Sequence, residues 1–141
     1  MTPAARVQTT IELLDQMLEG TAPEKVLTGW ARKSRFAGAK DRAAIRSFFF
    51  DALRCKRSYA AYGGALTGRG LMLGLLKDQQ IDPKTLFTGQ GYGPSELTPD
   101  EGVGTVSLSR AEQLDLPDWL LPVFDASLGA DADATAMALR H

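Results

Sequence analysis

The sequence is poor in the residues that carry out chemistry. Its 141 residues include one cysteine, Cys55, and one histidine, His141. A single cysteine excludes an internal disulfide and a cysteine-based zinc site. A single histidine at the last position nearly excludes a Ser-His-Asp or Cys-His device, and the acidic residues are too scattered to suggest metal ligands. We therefore expect no catalytic residue, no metal site and no bound cofactor within this chain.

Long apolar runs are also missing. No stretch approaches the roughly 20 residues that a membrane-spanning helix needs. Near the N-terminus, Glu12 and Asp15 come too early for a secretory signal peptide. The sequence therefore predicts a cytoplasmic protein that does not interact with a membrane.

Apolar residues recur at three- and four-residue steps along most of the chain, which predicts an all-α helical bundle. Thr2 and Pro3 start the first predicted helix, which Gly20 ends. A capping box at 21–24 starts the second helix. The third runs from about Lys40 to Tyr59. Later helical segments are predicted around Leu71–Leu76, from Asp82 to Phe87, from Pro117, and from Asp131 through Arg140.

Glycine and proline divide the chain into three parts. We expect a helical core over 1–88, a Gly/Pro-rich irregular segment over 89–116 with a brief extended piece near 103–108, and a helical part over 117–141. Gly89–Gly93 looks like a phosphate loop. It lacks a preceding strand, a following helix and a Lys-Ser/Thr pair, which disfavours nucleotide binding there.

Positive charge is concentrated in one segment, although the net charge is only −1. Residues 25–69 contain eleven Lys or Arg and two Asp, a balance of +9, whereas residues 70–141 have four basic and eleven acidic residues, a balance of −7. Such a segment indicates a surface that faces a polyanion. The predicted RNA-binding residues are Arg32, Lys33, Arg35, Lys40, Arg42, Arg46, Arg54, Lys56 and Arg57. Arg69 is a further candidate.

The alternative for this segment is a solvated helix face whose charges offset the acidic C-terminal half. Phe50 and Tyr62 are candidate base-stacking rings, while Trp30 and Trp119 lie on apolar stripes and are predicted to be core residues. Cys55 faces the apolar side of its helix, which favours a buried structural thiol. Its basic neighbours leave open a reactive thiolate.

Two stretches resemble a known family. Ser34–Arg46, continuing through Phe50–Arg54, has an Asp-Arg pair in a helix that ends in Leu-Arg, and Leu116–Leu120 reads Leu-Pro-Asp-Trp-Leu. Together they resemble the N-terminal NusB-like RNA-binding domain of the Sun (Fmu) family of ribosomal RNA cytosine-C5 methyltransferases. The resemblance implies a helical bundle that docks small-subunit ribosomal RNA. It also implies a separate downstream domain that binds S-adenosylmethionine and carries two catalytic cysteines.

This chain lacks that domain's catalytic Pro-Cys and Thr-Cys motifs, and Cys55 precedes the region to which they belong. The function expected from the resemblance is therefore non-catalytic RNA binding and substrate docking for the methyltransferase part of a longer protein. The alternative is a NusB-like antitermination or protein-interaction module, in which the Leu71–Leu76 face docks a partner or the methyltransferase domain. A stand-alone enzyme is disfavoured by the missing reactive groups.

Overall fold

The architecture is all-helical, as predicted. The structure is a computed structural model that describes residues 1–101, 109–120, 122, 126 and 131–139. In these residues it contains seven α-helices, one 3-10 turn and no strand. The helices are α1 (Pro3–Leu18), α2 (Pro23–Lys33), α3 (Ala39–Arg54), α4 (Lys56–Gly63), α5 (Gly68–Asp78), α6 (Arg110–Gln113) and α7 (Ala132–Leu139), and the 3-10 turn is Pro83–Thr85.

The first two helices begin in different ways. The Thr2 hydroxyl accepts a hydrogen bond from the backbone N–H of Ala5, which caps α1 as expected, and Gly20 follows the helix with a φ of 117°. The predicted capping box of α2 is wrong. Ala22 is the N-cap and makes no side-chain cap, because Pro23 takes the first helical position and leaves Thr21 one residue outside.

The predicted helix from Lys40 to Tyr59 is wrong in one respect: it is two helices that break at Cys55. The break is stabilised by Asp115, which is distant in sequence. Its carboxylate accepts hydrogen bonds from the backbone N–H of Ser58 at 2.7 Å and from the Ser58 hydroxyl at 2.9 Å. A carboxylate in this position satisfies a free donor in the first turn of α4 and interacts favourably with the helix dipole.

Helix α5 is the centre of the core. Every residue from Leu71 to Leu76 is buried, and the helix packs against α1, α3 and α4. The proposed docking of a partner on the Leu71–Leu76 face is therefore wrong, since the protein's own helices cover it. Gly74 allows this packing, because a Cβ atom there would lie 2.1 Å from the carbonyl oxygen of Tyr59 in α4.

A second, smaller apolar cluster lies near the C-terminal end. Leu114 and Leu116 form it with Ala136 of α7, and Leu120 is partly buried against them. The predicted core role of Trp119 is wrong, because its side chain is 72% exposed. Residues 116–119 are not helical, so the helical period that placed Trp119 beside Leu120 does not apply.

Some expectations fall outside the described residues, namely the extended piece near 103–108 and much of the helical segment predicted from Pro117. Within the described segment 88–101 the chain is irregular, whereas α6 lies inside the range 89–116 that was expected to be irregular throughout. None of the helices in the described part of the chain is both long enough and apolar enough to cross a bilayer.

Two helical glycines offer a matched test of this packing. We expect Gly74→Ala to lower the free energy of unfolding by at least about 2 kcal/mol, because the added methyl group collides with the α4 backbone. A Cβ atom at Gly29 in α2 would meet no atom within 4 Å. Gly29→Ala is therefore expected to raise the free energy of unfolding by up to about 1 kcal/mol through helix propensity. Urea titrations followed by circular dichroism measure both, and equal effects of the two variants would contradict the packing described.

Candidate nucleic-acid interface

Three arginines meet in a cleft between α2 and α3. The cleft has a volume of about 340 Å³ and is lined by Leu27, Thr28, Ala31, Arg32, Arg42 and Arg46. Helical spacing explains the grouping, because Thr28 and Arg32 are four residues apart on α2, as Arg42 and Arg46 are on α3. We call it the α2–α3 cleft.

Arg42 holds the connection between the two helices. Its Nε donates to the carbonyl oxygen of Ala37 at 2.9 Å, and its Nη2 donates to that of Ser34 at 2.9 Å. The guanidinium carbon also lies 6.0 Å from the ring centroid of Trp30. Arg42 is half-buried, and its main role is therefore structural, although it also lines the cleft.

Arg46 is more available to a ligand. Its Nη2 lies 3.5 Å from an oxygen of Glu24, and both side chains are largely exposed. An ion pair of this kind contributes about 0–1 kcal/mol, so a phosphate can replace Glu24 at little cost. The guanidinium carbon lies 4.9 Å from the ring centroid of Phe50. This contact orients Arg46, and it covers the Phe50 ring, which was predicted to stack on bases.

Four predicted residues have exposed side chains with no ion pair or hydrogen bond to any described residue. They are Arg32, Lys33, Arg35 and Lys40, on or between α2 and α3. The nearby carboxylate of Asp41 does not neutralise the charge of these four residues. Its carboxylate accepts a hydrogen bond from Arg6 of α1 at 2.7 Å, which holds the pKa of Asp41 below its usual value.

The other three predicted residues, Arg54, Lys56 and Arg57, do not line the α2–α3 cleft. They lie at the end of α3 and the start of α4. Arg54 forms an ion pair with Asp51. Arg57 donates to the carbonyl oxygen of Leu116 at 2.5 Å and to the carboxylate of Asp118 at 2.8 Å. Together with the exposed Lys56, these arginines line a groove of about 650 Å³ beside residues 112–117. The structure therefore does not bring the nine predicted residues together into one surface.

Arg69 is a structural residue. It donates to both carboxylate oxygens of Glu101, at 2.7 and 3.0 Å, and to the backbone oxygens of Ser95 and Glu96. Its guanidinium carbon lies 4.8 Å from the ring centroid of Phe87. Arg69 thus fastens the irregular segment to the helical core and is not available to bind a polyanion.

The exposed aromatic rings are not those that the sequence singled out. Phe50 and Tyr62 are half-buried and pack against the core, as Trp30 does. Phe36 and Tyr92 are 75% and 89% exposed. Both rings lie between helices and outside any apolar stripe. This position in the sequence is the signal that could have indicated their exposure. Lys25, which is exposed on α2 near Arg32, was also missing from the predicted RNA-binding residues.

Reactive groups remain few. Cys55 is buried, at 3% exposure, as a structural thiol would be. Across the described ranges of the chain, no group of three or more His, Cys, Asp or Glu side chains is placed to hold a metal ion. Burial of Tyr59, whose hydroxyl donates to Asp78 at 3.1 Å, raises the pKa of that phenol, so it remains protonated and supplies no base.

Comparison with known proteins identifies no relative: no family model, no curated protein and no solved structure matches the chain. The resemblance to the Sun family stays a prediction that rests on the Asp41-Arg42 helix and on Leu116–Leu120.

The Arg69–Glu101 pair predicts a pH dependence of stability. The hydrogen bond from Arg69 lowers the pKa of Glu101 from 4.5 to about 2. Because the folded-state pKa is the lower one, the pair stabilises the fold fully above pH 4.5 and loses this effect as the pH falls towards 2. Glu101→Gln should flatten the decline in free energy of unfolding over that range, measured by urea titration at several pH values.

The control is Glu96→Gln. Glu96 is exposed, and its carboxylate forms no ion pair with the described residues, so this variant should keep the slope of the unmodified protein. A slope that Glu101→Gln leaves unchanged would contradict the stabilising role of the pair.

Proposed function

We propose that this chain is a non-catalytic RNA-binding domain. In this proposal it docks small-subunit ribosomal RNA, in the cytoplasm, for an S-adenosylmethionine-dependent cytosine-C5 methyltransferase domain of the same protein. The observation that carries the RNA-binding part is the α2–α3 cleft, which Arg32 and Arg46 line together with Arg42, whose backbone contacts fix its position. The methyltransferase part is supported by the family resemblance alone.

The chemistry of the cleft suits a phosphate backbone. Arginine presents a planar fork of donors that fits phosphate oxygens, and its charge displaces the counterions of RNA. Arg32 has no partner among the described residues, and Arg46 has only the weak Glu24 pair. Small side chains at Thr28 and Ala31 leave the surface of α2 open to a backbone that approaches the cleft.

The double variant Arg32→Ala/Arg46→Ala tests this proposal. We expect its affinity for a small-subunit ribosomal RNA fragment to fall about tenfold or more. The slope of log affinity against log salt should decrease by about one for each arginine–phosphate pair that the substitutions remove. Filter binding or fluorescence anisotropy over a salt series measures both quantities.

Two further variants serve as controls. Lys84→Ala removes an exposed charge on the 3-10 turn, which does not line the cleft, and should leave affinity nearly unchanged. Arg42→Ala should lower the free energy of unfolding as well as binding, because it removes the bonds to Ser34 and Ala37. Unchanged affinity and salt slope in the double variant would refute RNA binding at this cleft.

A second candidate function, a protein-interaction module, is favoured by the groove of about 650 Å³ beside α4. Its apolar lining is formed by Leu53, Ala60, Ala61, Ala65, Leu66 and Pro117, and Leu66 is 57% exposed. Exposed apolar surface of this kind is typical of protein contacts. In this second proposal the groove docks the methyltransferase domain.

Leu66→Glu should then abolish a micromolar complex with that domain supplied in trans, because it places a charge in an apolar contact. Leu139→Glu is the matched control, since Leu139 is exposed on α7 and does not line the groove. Calorimetry measures the complex, and equal affinity of both variants would count against this candidate.

A further inference from the structure

A pocket lined by aromatic side chains lies between α1, α2 and two connecting segments. It has a volume of about 610 Å³, which is within the range of about 300–1,000 Å³ that is usual for small-ligand sites. Its ring-bearing walls are Trp30, Phe36 and Tyr92, and its polar wall is formed by Gln8, Thr9 and Glu12 of α1. We call it the aromatic pocket.

Tyr92 is presented by the turn that looks like a phosphate loop in sequence. Gly89 and Gly91 adopt φ values of 71° and 56°, which favour glycine. The backbone N–H of Gly89 donates to the carbonyl oxygen of the buried Pro94 at 2.9 Å. The glycines of this segment therefore build a tight turn, with Tyr92 exposed at its tip.

The other two rings depend on Arg42. Trp30 packs partly against the core, and the Arg42 guanidinium lies beside its ring. Phe36 is in the connection that Arg42 fastens through the carbonyl oxygens of Ser34 and Ala37. The residue that anchors the α2–α3 cleft therefore also positions two walls of the aromatic pocket.

The polar wall offers hydrogen-bonding groups of both kinds. The amide of Gln8 donates to a carboxylate oxygen of Glu12 at 3.3 Å, and Glu12 forms no ion pair with the described residues. A carboxylate repels phosphate and accepts hydrogen bonds from amino groups. The pocket therefore suits a flat, neutral group with N–H donors, while Arg35, directly before Phe36, remains available for a phosphate nearby.

We propose that the aromatic pocket binds an unpaired RNA base that carries an exocyclic amino group, stacked on Trp30, Phe36 or Tyr92 and hydrogen-bonded to Glu12. This inference rests on the proposed RNA-binding function and adds to it the recognition of a single-stranded nucleotide. Stacking on aromatic rings together with hydrogen bonds to the base edge is how proteins read unpaired RNA.

A cationic ligand is the competing occupant, because rings around a carboxylate also suit a quaternary ammonium group. The surroundings disfavour it. Arg42 already lies beside Trp30, and Arg32, Lys33 and Arg35 leave the adjoining surface positively charged. A base linked to an anionic backbone complements both the rings and this charge.

Trp30 provides a direct probe. In a Trp119→Phe background it is the only tryptophan. We expect a short single-stranded RNA rich in cytosine to quench its fluorescence in a saturable manner. An abasic oligonucleotide of equal length should bind without quenching, and a uridine oligonucleotide should bind more weakly. Quenching by a trimethylammonium compound such as choline, but not by RNA, would overturn the proposal.

Substitution of the two exposed rings provides the second test. Phe36→Ala and Tyr92→Ala should each weaken binding of the cytosine-rich RNA about tenfold, with heparin affinity unchanged. Phe36→Tyr and Tyr92→Phe keep a ring and should restore binding, and Trp119→Ala serves as the control for loss of an exposed ring. Both target rings are exposed, so their loss removes little core packing.

The outcomes separate this inference from the proposed function. If the alanine variants bind RNA as tightly as the unmodified protein while Arg32→Ala/Arg46→Ala does not, the pocket is not a base site and the cleft proposal stands. If the unmodified protein binds neither RNA nor heparin, both proposals fail. If the alanine variants lose RNA but not heparin, base recognition at the pocket is supported.

Discussion

The close approach of α4 and α5 is the constraint on which the rest of the structure depends. Gly74 lies against the backbone of Tyr59, where no side chain fits. This contact seats α5 deep enough for Leu71–Leu76 to be buried, and α1 and α3 pack around the same helix. Helices α2 and α3, which present the exposed Arg32, Lys33, Lys40 and Arg46, pack against α1 and are in turn positioned by this core.

Two groups of arginines have different roles: one holds the fold together and the other is exposed to a ligand. Arg42, Arg57 and Arg69 donate to backbone oxygens and hold irregular segments in place, because a guanidinium has several donors and satisfies carbonyl groups that no helix satisfies. Arg32 and Arg46 remain at the surface. A cluster of basic residues in sequence thus contains both structural and ligand-facing members, and only the partners of each side chain distinguish them.

Local patterns predicted much of the fold. The three- and four-residue periodicity identified α1, α2 and α5, because a helix that packs on a core needs one apolar face. The break at Cys55 was not predictable from 40–59, since no glycine or proline interrupts that stretch, and the carboxylate that caps α4 belongs to Asp115. Trp119 was misassigned for a related reason: its apolar neighbours suggested a helix, whereas residues 116–119 are not helical.

By itself, the sequence determined the all-α class, the buried Cys55, and the concentration of positive charge between 25 and 69, because these follow from composition and short-range periodicity. Only the tertiary structure decided which basic side chains make structural contacts and which aromatic rings are exposed. It joined Arg32, Arg42 and Arg46 in one cleft and brought Trp30, Phe36 and Tyr92 to one pocket. Such groupings depend on how helices distant in sequence pack together, which no local pattern encodes.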